Sequence, residues 1–89
     1  MPSQVVVVAS KVGLHARPAS LLIKAAAAAG VPVTINRVGE TPVNAASMLS
    51  VLALGAKCGD EIEITVGDGP DSDSILANLV EIVSTDHDA

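Results

Sequence analysis

The sequence predicts a small α+β domain with the element order β-α-β-β-α-β-α and with its helices on one face of an antiparallel sheet. Apolar and polar residues alternate in 31–37 and 60–66, which is typical of strands that bury one face. Apolar residues recur at helical spacing in 16–29 and 72–84. Strands with one polar face leave a single face for helices. Because 89 residues have room for one core, we expect residues 1–89 to form a single domain.

The N-terminal half contains valine-rich and alanine-rich stretches. β-branched residues favour strands and alanine favours helices. Gly30 supplies the stop of the long helix, and Pro42 suits an edge strand. The predicted elements are strand 4–9, helix 16–29, strand 31–37 and strand 41–44. The predicted inward residues are Ala19, Leu22, Ile23, Ala26 and Ala27 of the helix and Val33 and Ile35 of the second strand, with Thr34 and Asn36 outward.

The C-terminal half is predicted to contain two more helices and one strand. Ser47 suits the N-cap of the first helix and Gly55 its stop, while Asp71 or Ser72 suits the cap of the second. The predicted elements are helix 47–54, strand 60–66 and helix 72–84, followed by a frayed tail over 85–89. The predicted inward residues are Ile62, Ile64, Val66, Ile75, Leu76, Leu79, Val80 and Val83.

Helix 47–54 has apolar residues on two sides. Met48, Leu49 and Leu52 share one side at about 100° per residue, and Val51 and Leu54 share the other. Because a short surface helix buries only one side, we expect the other to be exposed. An exposed apolar patch indicates a partner site.

Charge is distributed unevenly along the chain. Residues 1–39 carry four cations and no acid, whereas residues 40–89 carry all ten acids and one lysine. The basic N-terminal half can steer an anionic donor or an acidic partner surface. The absence of aromatic residues argues against nucleic-acid binding.

Cysteine use and hydropathy exclude further classes. Cys58 is the single cysteine, which excludes an internal disulfide and indicates a reduced thiol, and no Cys/His spacing suits a metal. The apolar run 5–8 is far shorter than the roughly 20 residues of a membrane span, and the chain does not begin like a signal peptide. We therefore expect a soluble cytoplasmic protein without membrane insertion.

The hexapeptide 13–18 (GLHARP) lies where the first strand gives way to the long helix. A helix start gathers N–H donors and partial positive charge, and Pro18 is tolerated in a first turn. The dipole disfavours protonation of His15 and so keeps its imidazole neutral and nucleophilic. With the Arg17 guanidinium close in sequence, the anion that suits this site best is a phosphoryl group. The alternative role for His15 is a helix flank that only bonds nearby backbone.

This hexapeptide, together with the stretch 44–49 (NAASML), resembles the HPr family of histidine-containing phosphocarriers of the phosphoenolpyruvate:sugar phosphotransferase system. The resemblance implies an open-faced β-sandwich, βαββαβα, in which three helices cover one face of a four-stranded antiparallel sheet. It also favours Val6 and Val8 as the inward residues of the first strand, a choice that the valine run itself leaves open.

The resemblance implies a carrier that is itself a substrate rather than a free-standing enzyme. His15 would accept the phosphoryl group on Nδ1, Arg17 would stabilise its charge, and the backbone N–H groups of Ala16 and Arg17 would bind phosphate oxygens. The donor would be enzyme I and the acceptors enzyme IIA domains of sugar permeases. We expect a monomer with no cofactor and no metal.

Two further functional predictions concern the short helix. Met48, Leu49 and Leu52 are the candidate partner-docking patch beside His15. Ser47 is both an N-cap and a candidate regulatory phosphorylation site, since the matching serine of many Gram-positive relatives is modified by a dedicated kinase that controls catabolite repression. A serine kinase/phosphorylase and a catabolite regulator would then be additional partners. The chain departs from those relatives at Ala46, where lysine is frequent, and at Ser50, where glycine is frequent.

Three other functions remain open on the sequence. A paralogue in a nitrogen-related or dihydroxyacetone phosphotransfer chain would share the same motif residues. A purely regulatory module would depend on Ser47, although relatives of that kind lack the active histidine. A small α+β binding domain with an incidental histidine would take up no phosphate from any donor.

Overall fold

Three helices and four strands follow one another in the predicted order within residues 2–9, 13 and 16–85, the part of the chain that this computed structural model describes. The strands are β1 (Ser3–Val7), β2 (Val33–Arg37), β3 (Val43–Asn44) and β4 (Glu61–Val66), and the helices are α1 (Ala16–Ala27), α2 (Met48–Ala53) and α3 (Ser72–Ser84). The predicted fold class is confirmed.

The strands form one antiparallel sheet in the order β1-β4-β2-β3. β4 lies between β1 and β2, with Ile62 opposite Val6 and Ile64 opposite Ile35. The predicted inward residues of β4 are fully buried, because both neighbouring strands and the helices cover them. On the other face, Val5, Val7 and Glu61 are exposed. One cluster therefore forms the core, and its members include Val6, Val8, Leu22, Ile35, Ile64, Leu79 and Val83.

Two burial predictions were wrong. Ala27 is exposed, although Ile23, four residues earlier on the same side of α1, is half-buried. Both lie at the edge of the buried stripe, and only the longer isoleucine side chain reaches the core. Asn36 points away from Ile35 as predicted but is only 4% exposed. Its Nδ2 donates to the Arg37 carbonyl at 2.9 Å, which satisfies the buried amide.

Element boundaries shift by one or two residues. α1 ends at Ala27 rather than at residue 29, before Gly30 at φ +75°. β3 begins after Pro42, which has no N–H to donate to a ladder. Asp71 occupies the N-cap of α3 without a side-chain cap hydrogen bond, and the Ser72 hydroxyl instead donates to the Gly67 carbonyl. Of the two predicted caps, Asp71 is thus the N-cap by position, and Ser72 closes the preceding turn.

Candidate functional site

The start of α1 is the predicted phosphoryl site. α1 begins at Ala16, so the positive end of its dipole lies directly after His15 in the chain. Arg17 is exposed in its first turn. His15 lies outside the described residues, as do Lys11 of the basic half and His87 of the tail. The start of the helix is therefore where the sequence predicts it.

Gly13, two residues before His15, lies in close contact with a distant part of the chain. It has φ +80°, and a Cβ placed on it would lie 2.4 Å from the Ala56 carbonyl oxygen and 2.9 Å from Lys57 Cα. A conformation with positive φ favours glycine, and no side-chain atom fits in that gap. The segment before His15 therefore rests on the backbone that follows α2, a contact that sequence reasoning missed.

Ser47 caps α2 as predicted. Its Oγ accepts a hydrogen bond from the Ser50 N–H at 3.4 Å, and its backbone is extended, with φ −104° and ψ 116°. The preceding turn is closed by Asn44, whose Oδ1 accepts from the Ala46 N–H at 2.9 Å. The Asn44 carbonyl also accepts from the Ser47 N–H. The stretch 44–49 thus forms a turn that leads into a capped helix.

The two apolar sides of α2 differ in exposure. Val51 is fully buried and Leu54 is half-buried, whereas Met48, Leu49 and Leu52 are exposed, Leu49 by 82%. Leu21 of α1 is also exposed by 41%. Leu21 lies four residues after Arg17 and so shares a helix face with it. This spacing is visible in the sequence and could have identified Leu21.

The cations of the basic N-terminal half differ in their surroundings. Arg17 and Lys24 are exposed on α1. Arg37 on β2 makes ion pairs with two carboxylates: its Nε lies 3.4 Å from Glu40 Oε2, and its Nη1 lies 3.2 Å from Asp60 Oδ2. The predicted steering charge of this half is therefore reduced by one locally neutralised cation.

A groove lies beside α2, and a free thiol lies between α2 and β4. The groove has a volume of about 510 Å³ and is lined by Gly39, Glu40, Thr41, Val43, Ser50, Ala53 and Leu54. Cys58 is a free, exposed thiol whose Sγ lies 3.9 Å from the Ala9 carbonyl. Over residues 2–9, 13 and 16–85, no three His, Cys, Asp or Glu side chains form a group able to hold a metal. No helix in the same ranges is both long and apolar enough to cross a membrane.

Comparison with known proteins identifies the family to which this fold belongs. The family model described as "PTS HPr component phosphorylation site" matches residues 2–85. The phosphocarrier protein HPr of Streptomyces coelicolor is 51% identical to this chain over 72 residues, which are 81% of this chain and 76% of that protein.

Solved structures show the same similarity. The phosphocarrier protein HPr from Bacillus anthracis has a TM-score of 0.83 at 33% identity, with 92% of this chain and 95% of that chain covered. Crh, the Bacillus subtilis catabolite repression HPr, has a TM-score of 0.68 at 30% identity, with 99% and 100% covered. The chain therefore belongs to the HPr family of phosphocarrier proteins of the phosphotransferase system.

Proposed function

We propose that this chain accepts a phosphoryl group on His15 from phospho-enzyme I and passes it to enzyme IIA domains for sugar uptake. The observation that carries the proposal is the start of α1 at Ala16, directly after His15, in a chain that matches a phosphorylation-site family model over residues 2–85. A helix N-terminus favours the negative charge that His15 gains on phosphorylation.

The proposed step is a reversible transfer. Nδ1 of His15 attacks phosphorus, a new P–N bond forms, and the bond between phosphorus and the donor breaks. The other ring nitrogen keeps its proton, so only Nδ1 is bonded to phosphorus. Arg17 stabilises charge on the phosphoryl oxygens, and the N–H groups of Ala16 and Arg17 donate to them. Pro18 has no N–H to contribute.

The chain acts in this proposal as a monomeric cytoplasmic carrier whose partners complete the chemistry. The test is to incubate it with phosphoenolpyruvate and enzyme I, and then to add an enzyme IIA domain. We expect an acid-labile phosphohistidine that depends on enzyme I and disappears when the acceptor is added. A folded protein that takes up no label from its own enzyme I would contradict the proposal.

The exposed side of α2, formed by Met48, Leu49 and Leu52, is the proposed docking patch. Leu49→Asp is expected to raise the KM for enzyme I about tenfold, because it places a charge on an apolar contact that partners must desolvate. The measurement is the initial rate of phosphoryl uptake as a function of enzyme I concentration. Val38→Asp is the matched control, since Val38 is also exposed, by 55%, but lies in the turn after β2. An equal effect of both variants would contradict the docking patch.

Ser47 is the proposed regulatory site. Its hydroxyl lies at the N-cap of α2, next in sequence to the docking patch, so a phosphate there would add negative charge where an acidic partner binds. We expect mass spectrometry to find one added phosphate on Ser47 after incubation with an HPr serine kinase, and none in Ser47→Ala. Slower uptake from enzyme I should accompany the modification. An unmodified Ser47 would remove regulation and leave the carrier function intact.

A further inference from the structure

Arg37 makes three polar contacts, two of them with residues far from it in the sequence. Its Nη1 donates to the Gly55 carbonyl at 3.2 Å and lies 3.2 Å from Asp60 Oδ2, while its Nε lies 3.4 Å from Glu40 Oε2. The Arg37 side chain is 34% exposed and that of Asp60 is 31% exposed, whereas Glu40 is 61% exposed. The ion pair with Asp60 is therefore better shielded than the one with Glu40.

Gly55 and Asp60 are the two ends of the turn that joins α2 to β4, here named the 55–60 turn. Asp60 Oδ2 also accepts from the Lys57 N–H at 2.8 Å, and the Asp60 N–H donates to the Lys57 carbonyl at 2.9 Å. The Arg37 guanidinium thus binds both ends of the turn, and the Asp60 carboxylate binds the backbone of Lys57 in its middle. The conformation of the 55–60 turn depends on this connected set of hydrogen bonds.

The segment that precedes His15 rests on this turn at two places. The Val8 N–H donates to the Asp60 carbonyl at 3.0 Å, and the Gly59 N–H donates to the Val8 carbonyl at 2.9 Å. Gly13 lies against Ala56 and Lys57, with no space for a Cβ between them. A displacement of the 55–60 turn would therefore act on Val8 and on Gly13, which lies two residues before His15 in the chain.

We propose that Arg37 is a positioning residue for phosphoryl transfer, which acts through Asp60 and the 55–60 turn on Gly13, two residues before His15 in the chain. This inference rests on the proposed function, because the transfer reaction is the one whose geometry Arg37 sets. Small displacements of a reacting group have large effects on rate, whereas a half-exposed ion pair contributes little to stability. Loss of Arg37 should therefore lower kcat more strongly than it lowers the free energy of unfolding.

The experiment compares Arg37→Met and Asp60→Asn with Glu40→Gln. R37M removes the guanidinium but keeps an unbranched side chain, and D60N keeps an oxygen for the Lys57 N–H while it removes the charge that Arg37 binds. E40Q removes the most exposed contact and leaves the 55–60 turn untouched. For each folded variant, kcat for uptake is measured at saturating enzyme I, and the Gly13 amide is followed in a ¹⁵N–¹H spectrum.

We expect R37M and D60N each to lower kcat by about fivefold or more, with a shifted Gly13 amide, and the double variant to be no worse than either single one. E40Q should stay within about twofold of the natural protein. Unchanged kcat and an unmoved Gly13 amide in both R37M and D60N would overturn the inference. If R37M does not fold, D60N decides the result. Failure of the proposed function is seen separately, as absent uptake by the natural protein, and the Gly13 amide then still tests the positioning contact.

Discussion

Replacing His15 with alanine is expected to reduce phosphoryl uptake from phospho-enzyme I to background, a loss of roughly a thousandfold or more. The imidazole is the proposed nucleophile, and the exposed Arg17 guanidinium cannot replace it, because a guanidinium stays protonated and has no lone pair to offer. The measurement is the amount of acid-labile phosphate bound per mole of protein after incubation with phosphoenolpyruvate and enzyme I. The variant should keep the circular dichroism spectrum of the natural protein.

The chain contains its own matched control for this experiment. His87 is the second of the two histidines and lies in the C-terminal tail, so His87→Ala should take up phosphate at the natural rate. Label retained by His15→Ala would contradict the proposed site. Acid stability of that label would then indicate a phosphoserine such as Ser47, whereas acid lability together with loss in His87→Ala would indicate the other imidazole.

The core could be predicted from local patterns because burial in this fold follows residue periodicity. Ile62, Ile64 and Val66 alternate with Glu61, Glu63 and Thr65, and β4 is buried on the predicted side because it lies between two strands. Alternation identifies a face but not a neighbour, so it does not give the strand order β1-β4-β2-β3. The same limit applies to Asn36. Alternation predicted that its side chain points away from Ile35, but alternation could not predict that the residue is only 4% exposed.

The candidate site was predictable where its parts are adjacent in the chain. The start of α1, the cap at Ser47 and the exposed side of α2 all depend on residues within one or two helical turns of each other. The contact of Gly13 with Ala56 and the contacts of Arg37 with Gly55 and Asp60 join residues that are far apart in the sequence. No local pattern distinguishes Arg37 from the exposed cations Arg17 and Lys24, and only the tertiary structure shows that it binds the 55–60 turn.

Gly13→Ala is expected to lower the free energy of unfolding by about 2–4 kcal/mol, the second large effect. Part of this cost, about 1–2 kcal/mol, comes from an L-residue held at positive φ. The remainder arises because the new Cβ would lie 2.4 Å from the Ala56 carbonyl oxygen, which belongs to the backbone and cannot rotate away. Relief of this overlap requires the segment before His15 to move off the 55–60 turn. Phosphoryl uptake per folded molecule should therefore fall about tenfold as well.

Gly39→Ala separates the two causes of that effect. Gly39 has φ +88°, close to the +80° of Gly13, but no atom lies within 4 Å of a Cβ built on it. G39A should therefore lose only the conformational part, about 1–2 kcal/mol, and keep its rate of uptake. Chemical denaturation followed by circular dichroism gives the free energies of unfolding, and uptake at saturating enzyme I gives the rates. If G13A and G39A lose equal stability and both retain full uptake, the close approach of Gly13 to Ala56 does not constrain the site. A loss of uptake confined to G13A would instead show that the backbone after α2 sets the geometry of the segment leading to His15.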